Sequence, residues 1–191
     1  RIEELLLDYF CTTADLTASR LHIADRGPVA DWVGASSAVP GLWPPSADSQ
    51  GHLHSDGGIL DNVPTAVMRS RSAGPVIAVD VCSQQAPMLV VPASGHAALA
   101  PLRRRRGTGA DGGDAPSMLE LLNRSNLLAS MQSWQTARAH ADLYLTPSTG
   151  THGFASFDRV SELADLGYSS TLRQLTDVDL DGLGQAPRSH T

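Results

Sequence analysis

The residues of this chain best spaced for chemistry lie in His52-Leu53-His54-Ser55-Asp56-Gly57-Gly58-Ile59-Leu60-Asp61-Asn62-Val63-Pro64. Leu53, set between polar neighbours, suits a short strand of period two. Gly57 and Gly58 permit positive φ and leave open space above Asp56. Asp61 and Asn62 can accept hydrogen bonds from the free amides of a helix start, with Pro64 in its first turn. A strand, a glycine corner and a helix start, in that order, present Asp56 as an uncrowded carboxylate at the end of a strand. That is the placement a general acid or base needs. The same residues also serve a tight turn with a solvated aspartate, and Asp-Gly-Gly alone favours that turn; the sequence around it shifts the balance.

Other chemistries are less well supplied. A serine hydrolase on an α/β sheet needs Gly-x-Ser-x-Gly, whose small residues let a strand turn sharply into a helix beneath the nucleophile. The nearest stretch, Gly34-Ala35-Ser36-Ser37-Ala38, lacks the final glycine and falls inside a predicted helix, where its small residues allow close packing. His52 and His54 share one face of a strand, but two ligands do not make a metal site, and no His, Cys or carboxylate trio has the usual spacing. A solvated or cleft-lining role is expected for both histidines. No P-loop or dinucleotide fingerprint follows a strand, so no metal or cofactor is expected.

The elements that must position Asp56 can be read in order. Arg1–Asp8 is a lead-in, and Tyr9–Leu16 is a strand rich in aromatic and β-branched residues. Ser19–Ala24 alternates as its hairpin partner, with Leu21 and Ile23 facing the core and Arg20 and His22 outward. Pro28–Val39 is a helix whose Val29, Trp32, Val33 and Ser36 share a face, stopped by the prolines at 40, 44 and 45. Leu42 and Trp43 in that stop segment either plug the core or line an apolar cleft. A helix over Val63–Ser72 ends at Ala73-Gly74. Pro75–Val81 is then a nearly continuous apolar run, the pattern of a strand buried on both faces.

Residues 83–115 break the pattern with Pro, Gly and four consecutive arginines, Arg103–Arg106, and are expected to be a flexible loop. The arginines are expected to be solvated; contact with anionic lipid head groups is the alternative. Asp111-Gly112-Gly113 repeats the Asp-Gly-Gly letters without a strand before it. Ser117-Met118-Leu119-Glu120 has capping-box spacing and opens a helix running to about Arg138. Ala141–Pro147 is a strand, Phe157–Leu175 a last amphipathic helix, and 177–191 a polar tail. Strand, helix and strand in succession point to an α/β layer architecture.

A length of 191 residues with 41% hydrophobic and 18% charged residues suits one domain or part of a larger one. The net charge of −6 argues against a nucleic-acid partner. No apolar run reaches the ~18 residues a membrane-spanning helix needs, and no signal-peptide pattern opens the chain. Cys11 and Cys82 give no disulfide framework, which suits a cytosolic or cytosol-facing protein.

Four segments together resemble the later part of the catalytic domain of patatin-like phospholipases: residues 9–17, residues 35–45, Ser55–Gly58 with Asp61–Pro64, and Val76–Val81. The likeness is to the neuropathy target esterase branch, a lysophospholipase group. That branch also has segments similar to Ala141–Pro147, Phe157–Arg159 and Gly167-Tyr168. The resemblance spans roughly residues 2–175 and makes 1–176 part of one such domain. It implies a patatin-like layered fold, with a central mixed sheet flanked by helices, and a serine esterase that cleaves acyl esters of phospholipids or lysophospholipids through a Ser–Asp dyad. Asp56 matches the family's base, in its Asp-Gly-Gly (or Asp-Gly-Ala) motif with Gly57 and Gly58. An acyl chain needs an apolar wall, for which Leu42 and Trp43 are candidates. The substrate class implies work at a membrane surface, peripherally and on the cytosolic side. The family's serine elbow and glycine-rich oxyanion loop lie earlier in its domain and have no counterpart here. The expectation is a truncated piece, inactive alone. The alternative is an inactive remnant that serves as an interaction or structural module.

Overall fold

A computed structural model describes residues 1–81, 118–147, 157–176, 178–180 and 182–183. The Cys-Thr-Thr-Ala-Asp run forms strand β1 (Cys11–Asp15), which pairs antiparallel with β2 (Arg20–Ala24). Asp15 closes the hairpin itself: its Oδ1 accepts from the backbone N–H of Thr17 at 3.1 Å and of Ala18 at 2.9 Å. Pro28, with its fixed φ, caps helix α1 (Val29–Ser36). The chain then passes the proline-rich stop into two short strands, β3 (Ser46–Ala47) and β4 (Leu53–Asp56). The first sheet is antiparallel throughout, in the order β2-β1-β4-β3.

A 3-10 turn over Gly57–Ile59 leads to helix α2 (Thr65–Arg71), two residues later than the periodicity predicts, with Pro64 at its N-cap. Strand β5 (Ile77–Val79) pairs in parallel with β6 (Leu143–Leu145), which follows the long helix α3 (Met118–His140). Another 3-10 turn (Phe157–Arg159) opens helix α4 (Val160–Leu175), whose Gln174 side chain bonds the backbone of Thr146 beside β6. The fold is thus α/β, with antiparallel and parallel strands in two separate sheets. Val63, Ala78 and Ala137 form a small apolar core between them. The Thr65 hydroxyl donates to the Ala137 carbonyl at 2.9 Å and ties α2 to α3.

In β4, whose faces the sequence leaves open, Leu53 is exposed while His54 and Ser55 are buried, because the segment after α1 and the 46–52 segment bring hydrogen-bonding partners to the polar side chains. Two expectations about faces are corrected. In α1 the buried residue is Ala35, with Val33 turned outward. In β5 only Ala78 is buried, and Ile77 and Val79 remain exposed among the described residues. The long loop, its arginines, Asp111-Gly112-Gly113, Ser117 and Cys82 lie outside the described residues.

Candidate functional site

Directly opposed residues of paired strands project from one face, as do residues two apart along a strand. The register pairs Thr13 with Asp56, Asp15 with His54, and His22 with Thr13. One face of the sheet therefore carries His22, Thr13, Asp15, His54 and Asp56 together. Helix α1 lays Trp32 over it: the Trp32 and His22 rings stack at 4.9 Å, and Trp32 meets His54 edge-on at 5.0 Å.

Asp56 ends β4 and is half-buried. Its backbone N–H donates to the Ala38 carbonyl at 3.1 Å, and the Ser55 hydroxyl donates to the same oxygen at 2.7 Å. These two bonds fasten the end of the strand to the segment after α1. Asp56 Oδ1 accepts from the Gly58 N–H at 2.8 Å and so caps the 3-10 turn. Burial pushes the Asp56 carboxyl above its ordinary value, and the single Gly58 hydrogen bond only partly offsets it.

The glycines act differently from expectation. Neither Gly57 nor Gly58 has positive φ. Gly57 is instead required by close approach: a Cβ there would sit 2.3 Å from the Thr12 carbonyl oxygen and 2.4 Å from its Oγ1. A Cβ on Gly58 would meet only side-chain ends, Asn62 Oδ1 at 2.7 Å and Asp56 Oδ1 at 3.0 Å. The corner thus presses against β1 at Gly57 and leaves adjustable neighbours at Gly58. Asp61 is also half-buried, and burial raises its carboxyl against a hydrogen bond from the Val63 backbone. It lines a cavity of about 370 Å³ with Leu60, Val63, Leu21 and Ala137.

Leu42 is half-buried and Trp43 is 56% exposed, so Trp43 does not plug the core. The N–H groups of both donate to the Val39 carbonyl at 3.0 Å, which fixes the loop that carries them. Ser36 lies in α1, as expected, and not at a strand end.

Sequence reasoning missed the polar network at the other end of the same face. His54 is fully buried, with Nδ1 2.9 Å from Thr13 Oγ1 and Nε2 3.2 Å from Asp48 Oδ2. His52 Nδ1 lies 2.9 Å from Oδ2 of the buried Asp15, which holds the Asp15 carboxyl well below the carboxylate range. His22, expected to point outward, is half-buried; burial and the neighbouring His54 and Arg20 charges lower its pKa. The available signal was the matched period-two spacing of Thr13/Asp15 and His52/His54, informative only once β1 and β4 are known to be neighbours. Among the described residues no three His, Cys, Asp or Glu side chains converge to hold a metal ion.

The geometry thus joins an α/β fold to a half-buried carboxylate at a glycine corner. Residues 10–69 match the family model described as patatin-like phospholipase. Patatin-like phospholipase domain-containing protein 6 of Mus musculus is 32% identical over 170 residues, covering 88% of this chain and 12% of that protein. Patatin-like phospholipase domain-containing protein 7 of Rattus norvegicus is 30% identical over 171 residues, covering 88% of this chain and 13% of the relative. Lysophospholipase NTE1 of Mycosarcoma maydis is 26% identical over 182 residues, covering 95% and 10%. The chain belongs to the patatin-like phospholipase family, and it spans about an eighth of the length of the first two relatives.

Proposed function

We propose that this chain carries the base of a serine esterase that hydrolyses acyl esters of phospholipids or lysophospholipids, and that Asp56 is that base. The observation that carries the reading is the state of its carboxylate: half-buried, raised by desolvation and bonded by a single N–H. A carboxylate near its ordinary pKa of ~3.9 is a poor base for a serine hydroxyl. Desolvation strengthens it, and a free oxygen leaves a place for the proton. In a Ser–Asp dyad, Asp56 takes the serine proton during acylation and then activates water for deacylation. The serine lies outside these 191 residues, which contain no Gly-x-Ser-x-Gly; this piece alone is expected to be inactive. The reading assigns residues 1–176 to one domain and 177–191 to a polar tail.

Leu42 and Trp43 supply the apolar wall for the acyl chain in this reading, supported by the exposed indole on a hydrogen-bonded loop. The substrate class puts the protein on a cytosol-facing membrane surface. No helix among the described residues is long and apolar enough to cross a membrane. Peripheral contact is the form proposed.

The test is esterase activity of the full-length protein against a lysophospholipid, wild type beside Asp56→Asn. Asparagine keeps the shape and the Gly58 bond but cannot take a proton. A loss of about 10²–10⁴-fold with the fold intact is expected, and equal activity would reduce Asp56 to a turn residue. Trp43→Ala should raise KM for long-chain esters more than for short ones; equal effects would remove Trp43 from the acyl wall.

A further inference from the structure

The 46–52 segment, the β2 end and the start of α1 enclose an open cleft of about 640 Å³, a volume suited to a small molecule. Its lining takes in His52, just before β4, and His54, two residues before Asp56. His52 stands in its wall with Nδ1 committed to Asp15, while Nε2 has no hydrogen-bond partner among the described residues. A buried carboxylate that orients an imidazole at the wall of a cavity is a built device, because Asp15 is itself held by two backbone N–H groups.

The charges around the cleft are partly spent. Asp15 is balanced by His52 and by Arg20, whose Nε lies 3.6 Å away. Asp48 accepts from the backbone of Gln50 and His52 and pairs with His54. Burial pushes Asp48 up, but these bonds outweigh it and keep it ionised. Arg26 is exposed at the cleft and donates no hydrogen bond to a described residue. Asp31, in the first turn of α1, is the one lining carboxylate without a hydrogen-bond donor among the described residues.

We propose that this cleft binds a phosphate monoester, with His52, Arg20 and Arg26 as its polar contacts and the stacked Trp32–His22 pair as the wall for its organic part. Guanidinium groups match phosphate oxygens through paired N–H donors. Imidazole suits the same ligand in either protonation state: an imidazolium donates to a phosphate oxygen, and a neutral ring accepts from P–OH at Nε2. The flat face of Trp32 favours an attached carbon skeleton over inorganic phosphate. Asp31 opposes the ligand and sets a limit on its affinity. The site does not depend on the esterase reading of Asp56.

The test is calorimetric titration of the full-length protein with glycerol 3-phosphate and inorganic phosphate, and with phosphatidylcholine vesicles with and without phosphatidic acid. Saturable binding of glycerol 3-phosphate is expected, tighter than that of inorganic phosphate. Arg26→Ala removes an exposed side chain with no structural bond and should weaken binding about 10-fold, or ~1.4 kcal/mol. His52→Gln should weaken it as well, and Asp31→Asn should tighten it. Competition by phosphatidic-acid vesicles alone would make the phosphate a lipid head group; soluble phosphates binding without vesicle competition would make it a free metabolite. No saturable binding in the wild type, or equal affinity in wild type and Arg26→Ala, would overturn the site.

Discussion

At one end of β4 the Asp56 carboxylate accepts a single backbone N–H and is pushed up by burial. On the same face, Asp15 of the neighbouring strand accepts two backbone N–H groups and the His52 imidazole, pairs with Arg20, and is pushed down. Asp15 has the larger set of donors, with the His52 imidazole first among them. Burial costs a charge its hydration, and only hydrogen bonds and opposite charges return it. One sheet thus holds a carboxylate favoured in its anionic form, suited to orienting another group, and a carboxylate shifted toward its protonated form, suited to taking a proton.

The comparison breaks most visibly if Asp15 is removed. Asp15→Ala strips His52 and Arg20 of their counter-charge and leaves the Thr17 and Ala18 amides without an acceptor. A loss of about 3 kcal/mol is expected across β1, β2 and β4. Hydrogen exchange on peptides from these strands in the intact protein should show it as faster opening confined to the first sheet. An exchange pattern like that of wild type would mean that the hairpin does not rely on the carboxylate. The sign with pH follows from the depressed pKa: Asp15 contributes stability that is present above the ordinary carboxylate value of ~3.9 and is lost as pH falls through its lower folded value.

A smaller effect separates the two glycines beside Asp56. Gly57→Ala drives a Cβ into the backbone oxygen of Thr12, which is held in the β1 ladder and cannot swing aside. Overpacking of this kind costs about 1–3 kcal/mol. Gly58→Ala meets only the ends of Asn62 and Asp56, which can move by rotation. Its cost in stability should be the lesser of the two, though it should disturb the Asp56 carboxylate directly. Thermal unfolding of both variants checks the order; a larger shift for Gly58→Ala would show that the close approach at Gly57 is relieved elsewhere.

Much of this architecture is legible in the sequence because it rests on local signals. β-branched runs mark β1, Pro28 marks the start of α1, and helical spacing marks α3 and α4. The glycine corner was found, and Asp56 stands at its strand end, but the reason for Gly57 was not legible. Positive φ is a property of one residue, whereas a close approach to Thr12 depends on which strand lies beside it. The same limit hid the Asp15–His52 and Thr13–His54 pairs, which join residues 37 and 41 positions apart. It also hid the full burial of His54, since period-two alternation has no knowledge of a waiting carboxylate at Asp48. Local chemistry fixes the elements, while contacts across the sheet choose the faces.

The smallest effect gives the sharpest form of the comparison, because its sign opposes that of Asp15. A folded-state pKa above the unfolded value means that the native protein binds the Asp56 proton more tightly than the unfolded chain does. Stability contributed by this group therefore falls as pH rises from the ordinary value of ~3.9 through the folded value, and the full cost is present at neutral pH. Asp56→Asn removes that cost while keeping an oxygen for the Gly58 N–H. At neutral pH the variant should unfold at a temperature no lower than wild type, and its advantage should shrink to nothing as pH drops below ~3.9. Melting curves at neutral and acid pH give the reading directly. A variant less stable than wild type at neutral pH would mean that the charged carboxylate is held by donors as Asp15 is, and the contrast between the two ends of the sheet would be lost.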